Sequence, residues 1–252
     1  MRVAALRSTT LEVMGTVFTF TWWPEAVDLG DALGAAATRL REIDAAFSTW
    51  KPDSPLSRLR RGEPVVGDHP EIAAVLGLCR ELRGRSGGWF DPWAAPGGVD
   101  PTGMVKGWAT GEACALLGAA GAPAALVNGG GDVATLPGSG PEGAPCWQVG
   151  IRHPWRPEAL AGVVEVPAGG AVASSGTYER PGHLWRPRGD GPLPGLAATV
   201  CGPEPTAADA FATALAAGGE DFLRILETME GWEGWLVTPD GTEHETAGFP
   251  WA

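Results

Sequence analysis

No two cysteines in this chain form a C-x-x-C pair; Cys79, Cys114, Cys146 and Cys201 are scattered. That spacing argues against a disulfide framework or a zinc site and fits reduced, mostly buried thiols. Basic residues are also scarce: 18 Lys and Arg stand against 30 Asp and Glu, a formal net charge of −12. An acidic chain repels phosphate backbones, so nucleic-acid binding is not expected. No basic amphipathic run addresses an anionic membrane surface. Nothing approaches the roughly 18 consecutive apolar residues of a transmembrane helix. Met1–Thr10 lacks the apolar core and small-residue cleavage site of a signal peptide, so the cytoplasm is the expected compartment. Walker A, G-x-G-x-x-G, G-x-S-x-G and H-E-x-x-H patterns are all absent.

What is abundant is glycine, proline and tryptophan: 38, 23 and 12 residues among 252. The first two predict many loops, while so much indole surface needs a core or a ligand to cover it. A chain of this length can bury a sizeable core. Leu11–Trp22 reads as a strand. Leu29, Leu33, Ala37, Leu40, Ile43 and Phe47 recur at helical steps, predicting an amphipathic helix over Glu25–Phe47. A second helix is expected after Asp68, a candidate N-cap, burying Ile72, Val75, Leu76, Cys79 and Leu82. Gly87–Gly103 has no period and reads as a loop, followed by a helix over Met104–Leu117. Strands are expected at Ala125–Val127, Trp147–Ile151, Val163–Val166, Ala171–Ser174 and Ala197–Cys201. Helices Thr206–Ala217 and Asp221–Met229 follow, then a hairpin from Trp235–Val237 through Pro239-Asp240-Gly241. No repeat or linker divides the chain, which predicts one α+β domain over residues 1–252, with mixed or antiparallel sheets and packed helices.

Four stretches could carry chemistry. Asp209 and Thr213 stand one helical turn apart on one face. Two hard oxygens so placed can bind Mg2+; equally, Thr206 and Asp209 can form a capping box while Thr213 bonds back to a carbonyl of its own helix. Asp100 precedes a tight turn, and Lys106 lies in the first turn of the helix beyond it. Together with backbone N–H groups Lys106 could make an anion site, or it could simply be solvated. The run Asn128-Gly-Gly-Gly-Asp132 lets a backbone pass close to a ligand, and also suits an ordinary loop. His183, beside Trp185 in a Gly/Pro/Arg-rich loop, could be a general base or merely exposed.

Taken in order, these stretches resemble the ApbE family of FAD:protein FMN transferases over nearly the whole chain. The matching segments are Met14-Gly-Thr16, Phe47–Leu59, Phe90-Asp-Pro92, Val99-Asp100 through Gly103 to Lys106-Gly107, and Ala125–Asp132. Trp147–Ile151, Ala171–Arg180, His183 and Ala208–Leu215 complete the set. The resemblance implies a T-fold-like layered α+β architecture and an enzyme that uses Mg2+ to cleave the FAD pyrophosphate. FMN would pass to a Thr or Ser of a target flavoprotein, with release of AMP.

By the same resemblance, Asp209, Thr213 and the Gly103 carbonyl hold Mg2+, Lys106 adds positive potential, and His183 takes the acceptor proton. Met14, Trp50, Phe90, Asp91, Asp100 and Trp185 occupy FAD-binding positions. The sequence departs from the family pattern after His183, where Arg186 replaces the usual Asp. An arginine there would lower the histidine pKa or grip a phosphate. Two other uses of the site stay open: FAD pyrophosphatase activity giving FMN and AMP, and flavin binding without turnover. The partners implied are FAD and the acceptor flavoprotein, and a homodimer is left open.

Overall fold

A computed structural model describes residues 6–23, 27–65, 67–136, 146–177 and 184–252. The expected strand over Leu11–Trp22 is instead a hairpin, with β1 at Arg7–Val13 and β2 at Thr16–Trp22. Met14 and Gly15 form its turn, both at positive φ (57° and 67°). Two such residues match the right-handed twist of paired strands, which is why apolar patterning runs straight through the bend and hides it.

The hairpin opens an eight-stranded sheet ordered β1-β2-β3-β4-β7-β8-β9-β10. Its further strands are β3 (Ala125–Gly129), β4 (Asp132–Thr135), β7 (Ala171–Gly176), β8 (Ala197–Gly202), β9 (Glu233–Val237) and β10 (Glu243–Glu245). Every pairing is antiparallel. A second sheet pairs β5 (Trp147–Arg152) with β6 (Leu160–Val166). The helices are α1 (Gly30–Phe47), α2 (Pro55–Arg60), α3 (Pro70–Arg85), α4 (Thr102–Ala119), α5 (Pro205–Gly218) and α6 (Glu220–Leu226). The expected α+β class is thus what is found. Among the described residues no helix is long and apolar enough to cross a membrane.

Both faces of the central sheet are covered, as the period-2 alternation of its strands requires. Ala134, Ala171, Ala173, Ala198, Val200 and Leu236 join the helices in the main core. Their neighbours Val133, Val172, Ala197, Cys201, Trp235 and Val237 face the other way, onto Ile151, Val164 and Val166 of the small sheet. Helix α5 is buried along its whole length from Ala207 to Gly218. It is apolar on nearly every side, as a central helix must be, so the two polar groups it carries, Asp209 and Thr213, are conspicuous.

Several helix starts differ from expectation. The described part of α1 begins at Gly30, whose N–H is accepted by Asp28 Oδ1 at 3.0 Å. Asp68 does not cap α3; His69 occupies that position without a side-chain bond. Helix α2 had no periodic signal, being six residues long, but Ser54 caps it by accepting the Ser57 N–H. Helix α4 starts two residues early, so Lys106 falls just beyond the first turn. The capping box at the start of α5 is absent: Glu204 is the N-cap, and the Asp209 carboxylate turns toward α4 instead.

Candidate active site

The site forms where the starts of α4 and α5 meet the ends of β4 and β7. Asp100 sets the first of these helix ends. Its Oδ1 accepts the Thr102 N–H at 3.0 Å and the Thr102 hydroxyl at 2.6 Å, and its Oδ2 pairs with Arg60 Nη1 at 2.8 Å. The carboxylate is therefore fully engaged in holding the helix start. One turn on, the Thr213 hydroxyl donates to the Gly103 carbonyl at 3.3 Å and lies 3.3 Å from Ser175 Oγ. Thr213 thus bridges to another helix and does not bond back along its own.

Helices α4 and α5 approach closely because glycines line their contact. A Cβ on Gly103 would come within 2.8 Å of Thr213 Oγ1, and one on Gly107 within 2.7 Å of Asp209 Cβ. The Gly107 N–H donates to Asp209 Oδ2 at 2.9 Å. Asp209 is 2% exposed; burial raises its pKa, opposed by the Lys106 charge and the Gly107 N–H.

The three glycines before Asp132 are a hairpin turn. Gly129 pairs with Asp132, leaving Gly130 and Gly131 at positive φ between β3 and β4, and Asn128 Oδ1 accepts the Gly131 N–H at 2.8 Å. This tight turn delivers the Asp132 carboxylate to Lys106, whose Nζ lies 2.6 Å from Oδ2. Lys106 is therefore not simply solvated. Burial, then the nearby Asp209 charge, push the Asp132 pKa up to about 7 against the opposing pull of Lys106. Asp132 was not expected at the site. The only signal in the sequence was its place at the end of an Asn-Gly-Gly-Gly run, which an ordinary loop explains equally well.

Above these groups opens a polar cleft with about 700 Å³ of space continuous with solvent. Gly103, Lys106, Asp209, Thr213 and Trp185 line it, joined by Thr16, Gly130, Ser174, Ser175 and Leu184. Trp185 is fixed by its indole N–H, which donates to the Asp91 carbonyl at 3.0 Å. The Asp91 carboxylate is itself occupied, by Arg83 Nε at 2.7 Å and the Trp93 N–H at 3.0 Å.

Those of the other singled-out residues that are described stand outside the cleft lining. Met14 lies in the β1–β2 turn, two residues before Thr16. Trp50, just beyond α1, is 85% exposed and so is not a core tryptophan at a helix end. Phe90 is 1% exposed, its side chain within the main core. His183 falls outside the described residues. Arg186 spends its guanidinium on its own loop, Nη1 donating to the carbonyls of Asp190 and Pro192 at 3.1 and 3.2 Å.

The fold and site define an α+β protein that presents a buried carboxylate, a hydroxyl and a helix-start carbonyl beneath an open polar cleft. The ApbE family profile matches residues 14–98 and 95–235, and the chain belongs to that family. Similar solved structures include the flavin transferase ApbE from Vibrio cholerae, with TM-score 0.76 and 19% identity over 97% of this chain and 99% of that one. The flavinyl transferase ApbE from Pseudomonas stutzeri has TM-score 0.76 and 19% identity, over 98% and 97%. An ApbE protein from Thermotoga maritima has TM-score 0.79 and 18% identity, over 96% and 97%. No curated protein matches the sequence.

Proposed function

We propose that this chain acts as one domain over residues 1–252 and is a FAD:protein FMN transferase. It cleaves the FAD pyrophosphate and joins FMN by a phosphoester bond to a Thr or Ser of a target flavoprotein, releasing AMP. The observation that carries this reading is the convergence of the Gly103 carbonyl, Thr213 hydroxyl and buried Asp209 carboxylate under the cleft.

These donors fit Mg2+. All three are hard oxygens, and one carboxylate with neutral partners suits an ion that also takes substrate phosphates. Gly103 keeps the cradle open, since a Cβ there would press on Thr213 Oγ1. Among the described residues no three His, Cys, Asp or Glu side chains gather into an all-protein metal cage, which agrees with a site shared between protein and substrate. Bound Mg2+ supplies charge neutralisation at the pyrophosphate and its AMP leaving group.

The chain's own residues do the rest. Lys106 adds positive potential to the same phosphates in a protein that otherwise repels them. Trp185, tethered through its indole N–H, keeps a planar face at the cleft against the flavin. Exposed Trp50 and the Met14 turn offer further flavin contacts. Phe90, Asp91 and Asp100 serve through the loop and helix end that they hold. His183, directly before the cleft residues Leu184 and Trp185 in sequence, receives the acceptor hydroxyl proton, a role open to an imidazole near neutrality.

Incubation with FAD, Mg2+ and a flavinylation-competent acceptor domain, read by mass spectrometry, tests the proposal. An FMN adduct on the acceptor matched by AMP is expected. FMN and AMP without an adduct would replace transfer by hydrolysis, and intact FAD would leave a flavin-binding protein. Asp209→Asn is expected to lower metal-dependent turnover by about a hundredfold or more, as loss of the anionic metal ligand should; an unchanged rate in the folded variant refutes the ligand role.

A further inference from the structure

The central sheet parts at the cleft. Strand β4 pairs with β7 only at Val133–Val172 and Ala134–Ala171, and beyond Asp132 the chain enters the Gly130-Gly131 turn. Strand β7 runs on to Gly176, paired throughout with β8 on its other side. Antiparallel partners exchange backbone hydrogen bonds at every second residue. The Thr177 N–H donates to the Leu196 carbonyl, so the N–H and C=O of Ala173 and Ser175 also turn to β8. Those of Ser174 and Gly176 turn to the side that β4 has left, in step with the Gly170 carbonyl, which accepts the Thr135 N–H. The Ser174 N–H is directed at the Asp132 carboxylate. Among the described residues, the Ser174 carbonyl and the Gly176 N–H have no partner on that side.

Both residues line the cleft, Ser174 half-buried and Gly176 buried, and backbone groups so placed are almost always paired. An acceptor and a donor flanking one strand residue have the spacing of the N–H and C=O of a single extended residue laid alongside, as in β-strand addition. Side chains directly opposite each other share a face of the sheet. Ser175 faces the helices, as Ala171 and Ala173 do, and its Oγ lies 3.3 Å from Thr213 Oγ1. A residue opposite Ser175 therefore sends its side chain toward Thr213, whose hydroxyl donates to the Gly103 carbonyl. We propose that the β7 edge at Ser174–Gly176 is the docking strand for the acceptor flavoprotein. The Thr or Ser that takes FMN lies opposite Ser175, its N–H donating to the Ser174 carbonyl and its carbonyl accepting from the Gly176 N–H. Its hydroxyl oxygen bonds to the FMN phosphorus as the phosphoanhydride bond to AMP breaks, and the hydroxyl proton passes to His183. This deepens the transferase reading given under Proposed function and rests on it.

Amide hydrogen exchange of the unmodified protein, resolved by residue with NMR, tests the docking at the atom concerned. The probe is a flavinylation-competent acceptor domain whose own Thr or Ser is replaced by Ala, so that the complex does not turn over. With FAD present, this domain is expected to slow exchange of the Gly176 N–H by about tenfold or more. FAD alone should leave it unchanged, and the Ser175 and Thr177 amides, held by β8, serve as internal controls. Protection by FAD alone would give the edge to the flavin and overturn the proposal, and so would no protection by either. Gly176→Pro removes the one donor that faces away from β8 and is expected to raise the acceptor KM by about tenfold. An unchanged KM in the folded variant also overturns the proposal; if the variant does not fold, the exchange measurement decides alone. The intact acceptor domain separates this failure from that of the transferase reading. An FMN adduct formed without Gly176 protection refutes only the docking strand, whereas no adduct with the parent enzyme removes the transferase reading and this proposal with it.

Discussion

Replacing Gly107 by alanine separates helix propensity from tertiary contact with opposite signs. Alanine is about 1 kcal/mol better than glycine within a helix, so α4 considered alone should gain. In the folded protein the new Cβ would land on the Pro205 carbonyl oxygen, 2.7 Å from Asp209 Cβ and 3.0 Å from the Pro205 carbonyl carbon. These atoms belong to the backbone, or stand next to it, at the start of α5 and cannot rotate away. The helices must part, at a cost of about 1–3 kcal/mol for overpacking. The 2.9 Å bond from the Gly107 N–H to buried Asp209 is then weakened, adding about 1–3 kcal/mol for an undersatisfied carboxylate. Setting the propensity gain against these leaves a net loss of about 1–5 kcal/mol. At about 2–4 °C per kcal/mol for a chain of this size, the midpoint should fall by roughly 10 °C. Gly77 supplies the control. It lies exposed in α3 with nothing within 4 Å of its would-be Cβ, so Gly77→Ala should gain up to about 1 kcal/mol. Urea unfolding followed by tryptophan fluorescence reads both. A Gly107→Ala protein as stable as the parent would refute the claim that α4 and α5 touch through this glycine.

Asp100→Ala removes the acceptor of the Thr102 N–H and hydroxyl at the start of α4 and the carboxylate partner of Arg60, and should cost about 1–3 kcal/mol in urea; a change below about 0.5 kcal/mol would show that Asp100 does not hold this helix end. Burial pushes the thiols of Cys79, Cys114 and Cys201 up to about 12, so at pH 8 only about one in ten thousand of each is thiolate. Ellman's reagent should therefore titrate Cys146, which is exposed, quickly in the native protein, and all four thiols only in denaturant; rapid reaction of more than one would contradict the packing. The same shift sets a pH dependence. Between about pH 9 and 12 the unfolded thiols lose protons while the folded ones keep them, so the native state binds more protons and stability falls as pH rises. A cysteine-to-alanine triple variant should lose that slope.

Much of the fold is legible in local pattern, because apolar periodicity reports which face of an element is buried. The cores of α1, α3, α4 and α5, and most strands, follow from it. The β1–β2 turn escaped because Met14 and Gly15 interrupt no apolar pattern, and six-residue α2 is too short to have a period. At the site, the spacing of Asp209 and Thr213 placed them on one helix face, the helix start after Asp100 singled out Lys106, and family resemblance added Gly103. What these residues bond to was settled by contacts across the chain. Thr213 meets a carbonyl 110 positions away, and Lys106 a carboxylate 26 positions away. In each case the sequence left a local alternative, a bond within the same helix or a solvated side chain, that was equally consistent with the spacing. The sequence by itself determined which residue types could gather hard oxygens and positive charge in an acidic protein. The tertiary structure decided that Asp132 joins them, that Phe90 is buried and Trp50 is not, and that Arg186 serves its own loop. Those outcomes depend on which elements pack together, and side chains far apart in sequence acquire their dielectric and their partners only when the elements meet.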